Sequence, residues 1–425
     1  MLSSNRSLGY GRMCAGIGAP DRFLSRSDAS QPQKYMAFQT DSGGWNNILM
    51  QFEIMVVMAW ITGRTLVLPP ARRFYLLGEE PRLLEDFLDL NELRRHLPVL
   101  TAAEFVEYSE LGHETAADEE FHQYMHTHGY MPPWNGLDNI LLFPLDALHS
   151  RPELHARLAA PRQANRQLIT LSDEAEHCDL LYFPMTKEHR MFGVAECFFL
   201  FGDEKLERQA RTLLRDAVRF REDIIMLAET AINAPALAGT SYSALHIRRG
   251  DFQYDQTQIS ASQILDYTDA VLSPEQPVYV ATDETDRAFL DVFCEKFSVV
   301  SFDDLPAEIV ADIPEHWCGI VETLICAAAP GKFIGTRLST FSTRISTLRG
   351  HLSYTRGSDC EGIDAELYYT QPPLSAKTNK GLFARFWRPS RKRVDQSGET
   401  EIPWWLSKDP VWGRAYQACW AETDN

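Results

Sequence analysis

Between residues 242 and 335 the chain alternates short apolar runs with helical patterns, and few folds accommodate that rhythm. Tyr242–Ile247, 277–282, 297–302 and 332–335 each read as a short buried strand. Before the last of them, Trp317, Ile320, Val321, Leu324, Ile325 and Ala328 fall at the spacing of a core-facing helix. Strands separated by helices cannot pair as hairpins. They pair in parallel, with the helices packed on both faces of a doubly wound sheet.

An earlier stretch opens the same way. Residues 35–40 read as a strand, a Gly-rich turn follows, and an apolar helix runs from about Trp45 to Thr62, where Gly63 ends it. Residues 64–68 form the next strand, stopped by Pro69 and Pro70. The pattern from about 85 to 235 reads as mostly helical. The chain of 425 residues is thus divided into an N-terminal extension (1–30), an α/β domain (31–235), a second α/β domain (236–360), and a linker with a Trp-rich tail (361–425).

In an open parallel sheet, ligands sit outside the carboxyl ends of the strands, so the residues just beyond each strand matter most. The first strand of the second domain runs through His246 and is followed by Arg248, Arg249, Gly250 and Asp251. The next is followed by Asp283 and Glu284, the third by Asp303 and Asp304, and the fourth by Thr336, Arg337, Ser339 and Thr340. Guanidinium forks and a hydroxyl-rich helix start suit a diphosphate, because helix N-termini present N–H groups and positive dipole to anions. Carboxylates on that rim can accept hydrogen bonds from a base edge or ribose. Each of these residues also fits a plain turn or N-cap role. Glu322, four residues from both Cys318 and Cys326, lies on an apolar column and needs a partner, from ligand or protein; the two cysteines read as buried thiols.

In the first domain, Asp41-Ser42-Gly43-Gly44-Trp45-Asn46-Asn47 joins strand to helix. Gly43 and Gly44 permit a close backbone approach, and Asn46 can donate to a ligand. It is not a dinucleotide fingerprint, and no Walker sequence occurs, since Gly331-Lys332 leads into Phe333. His122, His126 and His128 stand in what reads as a loop with no matching ligand set, and the eight cysteines form no C-x-x-C pair. Neither a metal site nor a disulfide scaffold is expected. A formal net charge of -18 argues against a duplex nucleic-acid partner. No secretory signal or membrane-spanning segment is read, which by itself points to the cytoplasm. Residues 377–393 carry seven basic residues and no acid, interleaved with Phe383, Phe386 and Trp387, and suggest weak contact with an acidic surface such as anionic lipid, or else a solvated loop.

Three segments together resemble the GDP-fucose protein O-fucosyltransferase family: Ser42–Asn47 with Thr62–Pro70, His246–Phe252, and Phe333–Ser342. The resemblance spans about residues 35–355 and implies a GT-B-like α/β fold, two facing Rossmann-like domains with a cleft between them. It implies an inverting glycosyltransferase that moves fucose from GDP-fucose to a protein Ser/Thr or glycan hydroxyl, with no metal or other cofactor. Arg248 would contact the β-phosphate and act on the leaving group, and Arg249 and Asp251 would belong to the same donor site. Ser339, Thr340 and Phe341 would hold the diphosphate, and Asn46 would reach the donor from the other domain. His246 and Glu322 match positions near ribose or guanine, and Asp283 the acid of an Ala-Thr-Asp motif. Where relatives carry a glutamate as general base this chain has Gly43, which leaves Asp41 as the nearest acid. Transfer of another deoxysugar such as rhamnose, and a catalytically silent sugar-nucleotide or glycan-binding role, stay open beside this. Relatives enter the secretory pathway, so the compartment stays open too.

Overall fold

The computed structural model describes residues 33–109, 117–134, 139–143, 167–186, 198–201, 204–238, 241–254, 257–269, 271–356, 367–369 and 406–407. The N-terminal extension, the basic stretch 377–393 and the four tail tryptophans lie outside these residues. The chain divides into two compact units. Among the described residues, an N-terminal unit holds those up to Met226 together with Pro314–Cys318, and a C-terminal unit holds Leu227–Ile313 and those from Gly319 on.

The N-terminal unit is built on four parallel strands, β1 (Tyr35–Phe38), β2 (Thr65–Val67), β3 (Val99–Leu100) and β6 (Leu180–Phe183), in the order β3-β2-β1-β6. Helix α1 (Trp45–Thr62) joins β1 to β2 and is buried along nearly its whole length, which is why its sequence is apolar on every side rather than striped. Gly63 ends it in the left-handed region at φ 63°, where a glycine carries no Cβ penalty, and its N–H returns to the carbonyls of Ala59 and Trp60. Arg64 is 2% exposed and donates to the carbonyls of Tyr35 and Ala175, so a cation closes the entry to β2.

Where the sequence reads as mostly helical, the described residues hold five strands beside the helices. Besides β3 and β6 they are β4 (Asn139–Phe143), β5 (Gln167–Ile169) and β7 (Phe199–Phe201), which form a separate parallel sheet in the order β5-β4-β7. Runs of two to five residues are too short for a two-residue alternation to stand out against helical periodicity. The presumed loop around His122, His126 and His128 is also a helix, α2 (Asp118–His128). Gly129 and the prolines beyond it mark its end, not its nature.

The C-terminal unit carries six strands in the order β10-β9-β8-β11-β12-β13: β8 (Ser243–Ile247), β9 (Val278–Thr282), β10 (Val299–Val300), β11 (Phe333–Thr336), β12 (Leu367–Tyr369) and β13 (Leu406–Ser407). All pairings are parallel except that of β13 with β12, so part of the tail returns to the sheet. Successive strand residues face opposite ways. Leu245, Ile247, Val278, Val280 and Ile334 form one core with Ile264 of α4 (Ala261–Thr268) and Leu290 and Phe293 of α5 (Arg287–Cys294). The other face meets α6 (Cys318–Ala328) and α7 (Thr340–Arg356), where the Tyr242 hydroxyl donates to the Ile325 carbonyl and His246 meets Ser342. Helix α3 (Glu204–Ala217) follows β7 in the N-terminal unit. No helix among the described residues is long and apolar enough to cross a membrane.

Candidate active site

Strand order fixes where a ligand can enter. From β8 the chain moves outward to β9 and β10, then returns to place β11 on the opposite side of β8. The loops leaving β8 and β11 therefore diverge, and the crevice at such a reversal is where open α/β sheets bind ligands. Thr336, fully buried at the end of β11, ties the two loops: its hydroxyl donates to the His246 carbonyl at 2.9 Å and accepts from the Arg248 N–H at 2.9 Å.

Arg248 lies at the mouth of this crevice, its guanidinium paired with both Asp251 and Asp283 and set over the Phe252 ring at 5.7 Å. Asp283 also accepts from the Arg249 N–H at 2.7 Å, so one carboxylate fixes both the loop backbone and the cation. Gly250 makes room for that pair, because a Cβ there would stand 2.3 Å from the Asp283 carboxylate and 3.0 Å from Arg248 Nη1. The sequence presents Arg248 and Arg249 as a pair, and the structure separates them. The Arg249 guanidinium donates to Glu284 at 2.7 Å and to the Ile259 carbonyl at 2.6 Å, and lies over Phe289 of α5 at 4.4 Å.

Opposite Arg248, the turn from β11 into α7 passes through Leu338 at φ 67°, a left-handed conformation that costs a non-glycine residue about 1 kcal/mol or more. That turn brings Ser339, 4% exposed, to the helix start, where its carbonyl accepts the Thr343 N–H at 3.1 Å. Thr340 and Phe341 follow on the first turn of α7, which bears no acidic residue and so leaves the positive dipole end uncompensated by its own side chains. Phe341 stacks on His246 with ring centroids 4.5 Å apart, and Ser342 Oγ lies 2.7 Å from His246 Nδ1. His246 itself is 4% exposed beneath α7, not out on the rim. Burial, assisted by Arg248, pushes its pKa down to about 3, so it is neutral near physiological pH and serves to seat the first turn of α7.

Across the sheet face, Glu322 of α6 accepts a hydrogen bond from the Tyr279 hydroxyl at 3.3 Å. Burial raises its pKa to about 8; the Tyr279 bond opposes the shift and nearby Asp303 adds to it. Of its neighbours, Cys326 is fully buried but Cys318 only half-buried, which corrects the expectation of two buried thiols. Asp304 turns back to accept from the Ser301 N–H and hydroxyl and also pairs with Arg287 at 3.6 Å.

The two shifted groups give the unit a pH window. Glu322 has its folded pKa raised, so its contribution is present at low pH and is lost as pH rises through about 8. His246 has its folded pKa depressed, so its contribution is present above the ordinary 6.5 and is lost as pH falls towards 3. We expect Glu322→Gln to flatten the fall in melting temperature between about pH 4.5 and pH 8 and to leave the profile above pH 8 as it is. An unchanged slope between those values would refute the assignment.

The N-terminal sheet has its own reversal, between β1 and β6, and the Asp41–Asn47 turn occupies it. Asp41 is 3% exposed; its N–H donates to Gln51 Oε1 at 2.6 Å and its carboxylate accepts from the Gly43 N–H at 2.7 Å. A Cβ at Gly43 would stand 2.2 Å from the Asn47 amide and 2.9 Å from the Asp41 carboxylate. A glutamate at this position would have to displace both side chains. Gly44 is unobstructed and forms a bridge with Tyr75, and Asn46 is buried at the start of α1. The sequence reading passes over two residues that hold this turn: Gln51 donates to the Gln39 carbonyl, and Arg72 donates to the Thr40 carbonyl and hydroxyl. A polar residue in an otherwise apolar helix and an arginine just beyond Pro69-Pro70 are the signals that could have found them.

Arg248, Asp251, Asp283, Ser339, Thr340 and Phe341 thus gather around one crevice of the C-terminal unit, with His246 beneath it and Arg249 at its edge. Asp41, Gly43, Gly44 and Asn46 gather at the reversal of the N-terminal unit. Among the described residues no cluster of His, Cys, Asp or Glu could hold a metal ion. His122 instead pairs with the Tyr182 hydroxyl at 3.0 Å and with Asp118 at 3.2 Å inside the N-terminal unit.

Residues 35–352 match the family model of the GDP-fucose protein O-fucosyltransferases, well over half of the chain. The chain belongs to this family. It is a glycosyltransferase of the fucosyltransferase kind. The matched span begins at β1 and ends inside α7, so it takes in both reversals and the residues around them. No curated protein sequence matches the chain significantly. Similar solved structures include POFUT1 in complex with GDP (15% identity, 76% of this chain and 97% of that one, TM-score 0.43). They also include POFUT1 in complex with GDP-fucose (16%, 77% and 97%, 0.41) and the fucosyltransferase NodZ from Bradyrhizobium (16%, 74% and 93%, 0.42).

Proposed function

We propose that this fucosyltransferase uses GDP-fucose as donor and a hydroxyl acceptor, protein Ser/Thr or glycan, and inverts the anomeric centre without a metal ion. The acceptor oxygen forms a bond to the anomeric carbon and gives up its proton to a diphosphate oxygen or to water, while the bond to the diphosphate oxygen breaks and its electron pair departs with GDP. Arg248 neutralises the charge that develops on the β-phosphate, and the Ser339–Phe341 segment adds hydroxyl and backbone N–H donors at the start of α7. The observation that carries this reading is the placement of Arg248 and the β11–α7 turn on opposite sides of the β8/β11 reversal. A guanidinium on one side and a helix start on the other can take the place of a metal on a diphosphate.

The nucleoside and the metal requirement are tested together by thermal shift. GDP and GDP-fucose should raise the melting temperature in the presence of a chelator, since a ligand that binds only the folded form stabilises it, and UDP should do little. Equal shifts with UDP-sugars, or a strict need for a divalent cation, would overturn the reading.

A catalytically silent binding role is kept as the second reading on one observation: the carboxylate of Asp41, the acid nearest the turn, is buried and engaged by Gly43. Transfer to an acceptor would exclude it, while GDP-fucose binding with neither transfer nor donor hydrolysis would support it.

A further inference from the structure

Both terminal nitrogens of Arg248 are already paired with acids, Nη1 with Asp283 and Nη2 with Asp251. A phosphate that takes the two terminal nitrogens together meets both carboxylates at the same fork, and the less anchored of the two is the one it can displace. Asp283 is anchored: it also holds the Arg249 N–H, its side chain is 29% exposed, and it ends a strand that the Thr282 hydroxyl ties to the Ile247 carbonyl at 2.8 Å. Asp251 sits in the turn that follows Gly250, and its side chain is 54% exposed.

Resting on the donor reading above, we propose that Asp251 is a built-in competitor for the diphosphate, an acid that stands on Arg248 until a β-phosphate exchanges with it and returns as GDP leaves. Asp283 is then the permanent partner that aims the guanidinium, and Asp251 the exchangeable one. This reverses the simplest reading of the Arg-Arg-Gly-Asp turn, in which the aspartate would contribute to nucleotide affinity. An anionic side chain beside a phosphate site can only repel the phosphate unless it moves or bonds to the ribose or base. The geometry pairs it with the cation instead.

Calorimetric titration of guanosine, GMP and GDP into the wild-type protein, Asp251→Asn and Asp283→Asn tests the exchange. Asp251→Asn should bind GDP about threefold more tightly, the scale of one partly exposed ion pair, and guanosine no better than wild type. The gain should shrink as salt is raised, because the competing pair is screened, and Asp251→Glu should return GDP affinity towards wild type. Asp283→Asn should change GDP affinity in the opposite direction. Unchanged or weaker GDP binding by Asp251→Asn, or an equal gain for guanosine, overturns the proposal and leaves the donor reading intact. Failure of the wild type itself to bind GDP overturns both.

Discussion

Replacing Arg248 by alanine should lower kcat/KM by about 10²- to 10³-fold, the range found when one donor to a developing anion is removed. Most of the loss should fall in kcat and not in GDP affinity, because the charge on the β-phosphate is greatest as the sugar departs. Arg248→Lys should recover little. An ammonium is a point charge without a planar fork, and here the guanidinium must face Asp283 and the phosphate at once. The fold should survive, since Arg248 lies beyond the end of β8 and only its backbone N–H is tied to Thr336. Turnover within a few-fold of wild type in the alanine variant would remove Arg248 from the mechanism. A parallel loss in guanosine binding would instead mark it as a residue that shapes the whole crevice.

The second large effect concerns stability and starts further from the chemistry. Arg349 of α7 is fully buried and donates to the carbonyls of Cys326, Ala329 and Gly331 at 3.3, 2.7 and 2.7 Å. It closes the C-terminal end of α6, where helix carbonyls lack partners and the dipole is negative, and it fixes the approach to β11. Arg349→Met keeps most of the volume but removes the side-chain donor from the Ala329 and Gly331 carbonyls, while Cys326 keeps the Ala329 N–H, at about 1–3 kcal/mol for each group left unsatisfied. A net loss of about 3–5 kcal/mol should lower the melting temperature by roughly 10 °C at about 2–4 °C per kcal/mol for a unit of this size. Because β11 leads directly into the Leu338 turn, the surviving folded fraction should also hold GDP more weakly. A melting temperature within about 2 °C of wild type would show that water or a shifted neighbour satisfies those carbonyls.

Much of this molecule is legible in its sequence, and the failures have identifiable causes. The bounds of α1 and its Gly63 stop can be read directly, because an uninterrupted apolar run and a glycine C-cap are local signals. Strands β8, β9 and β11 come through for the same reason, each a buried run closed by charged or turn residues. The sheet β5-β4-β7 does not, since strands of three to five residues separated by long connections carry too little pattern to outweigh the helices around them. Helix α2 is hidden by its composition, polar and histidine-rich with only Phe121, His122 and Met125 buried.

At the candidate site the division is sharper. The sequence by itself determined which residues stand beyond the strand ends, that two of them are arginines and that hydroxyls open the following helix, because those facts depend only on local order along the chain. It could not determine which arginine faces the crevice, that Asp283 joins Asp251 on Arg248, or that His246 lies under α7. Those outcomes depend on pairing between segments tens of residues apart. Only the tertiary structure, by setting β8 between β9 and β11, decides which side chains meet.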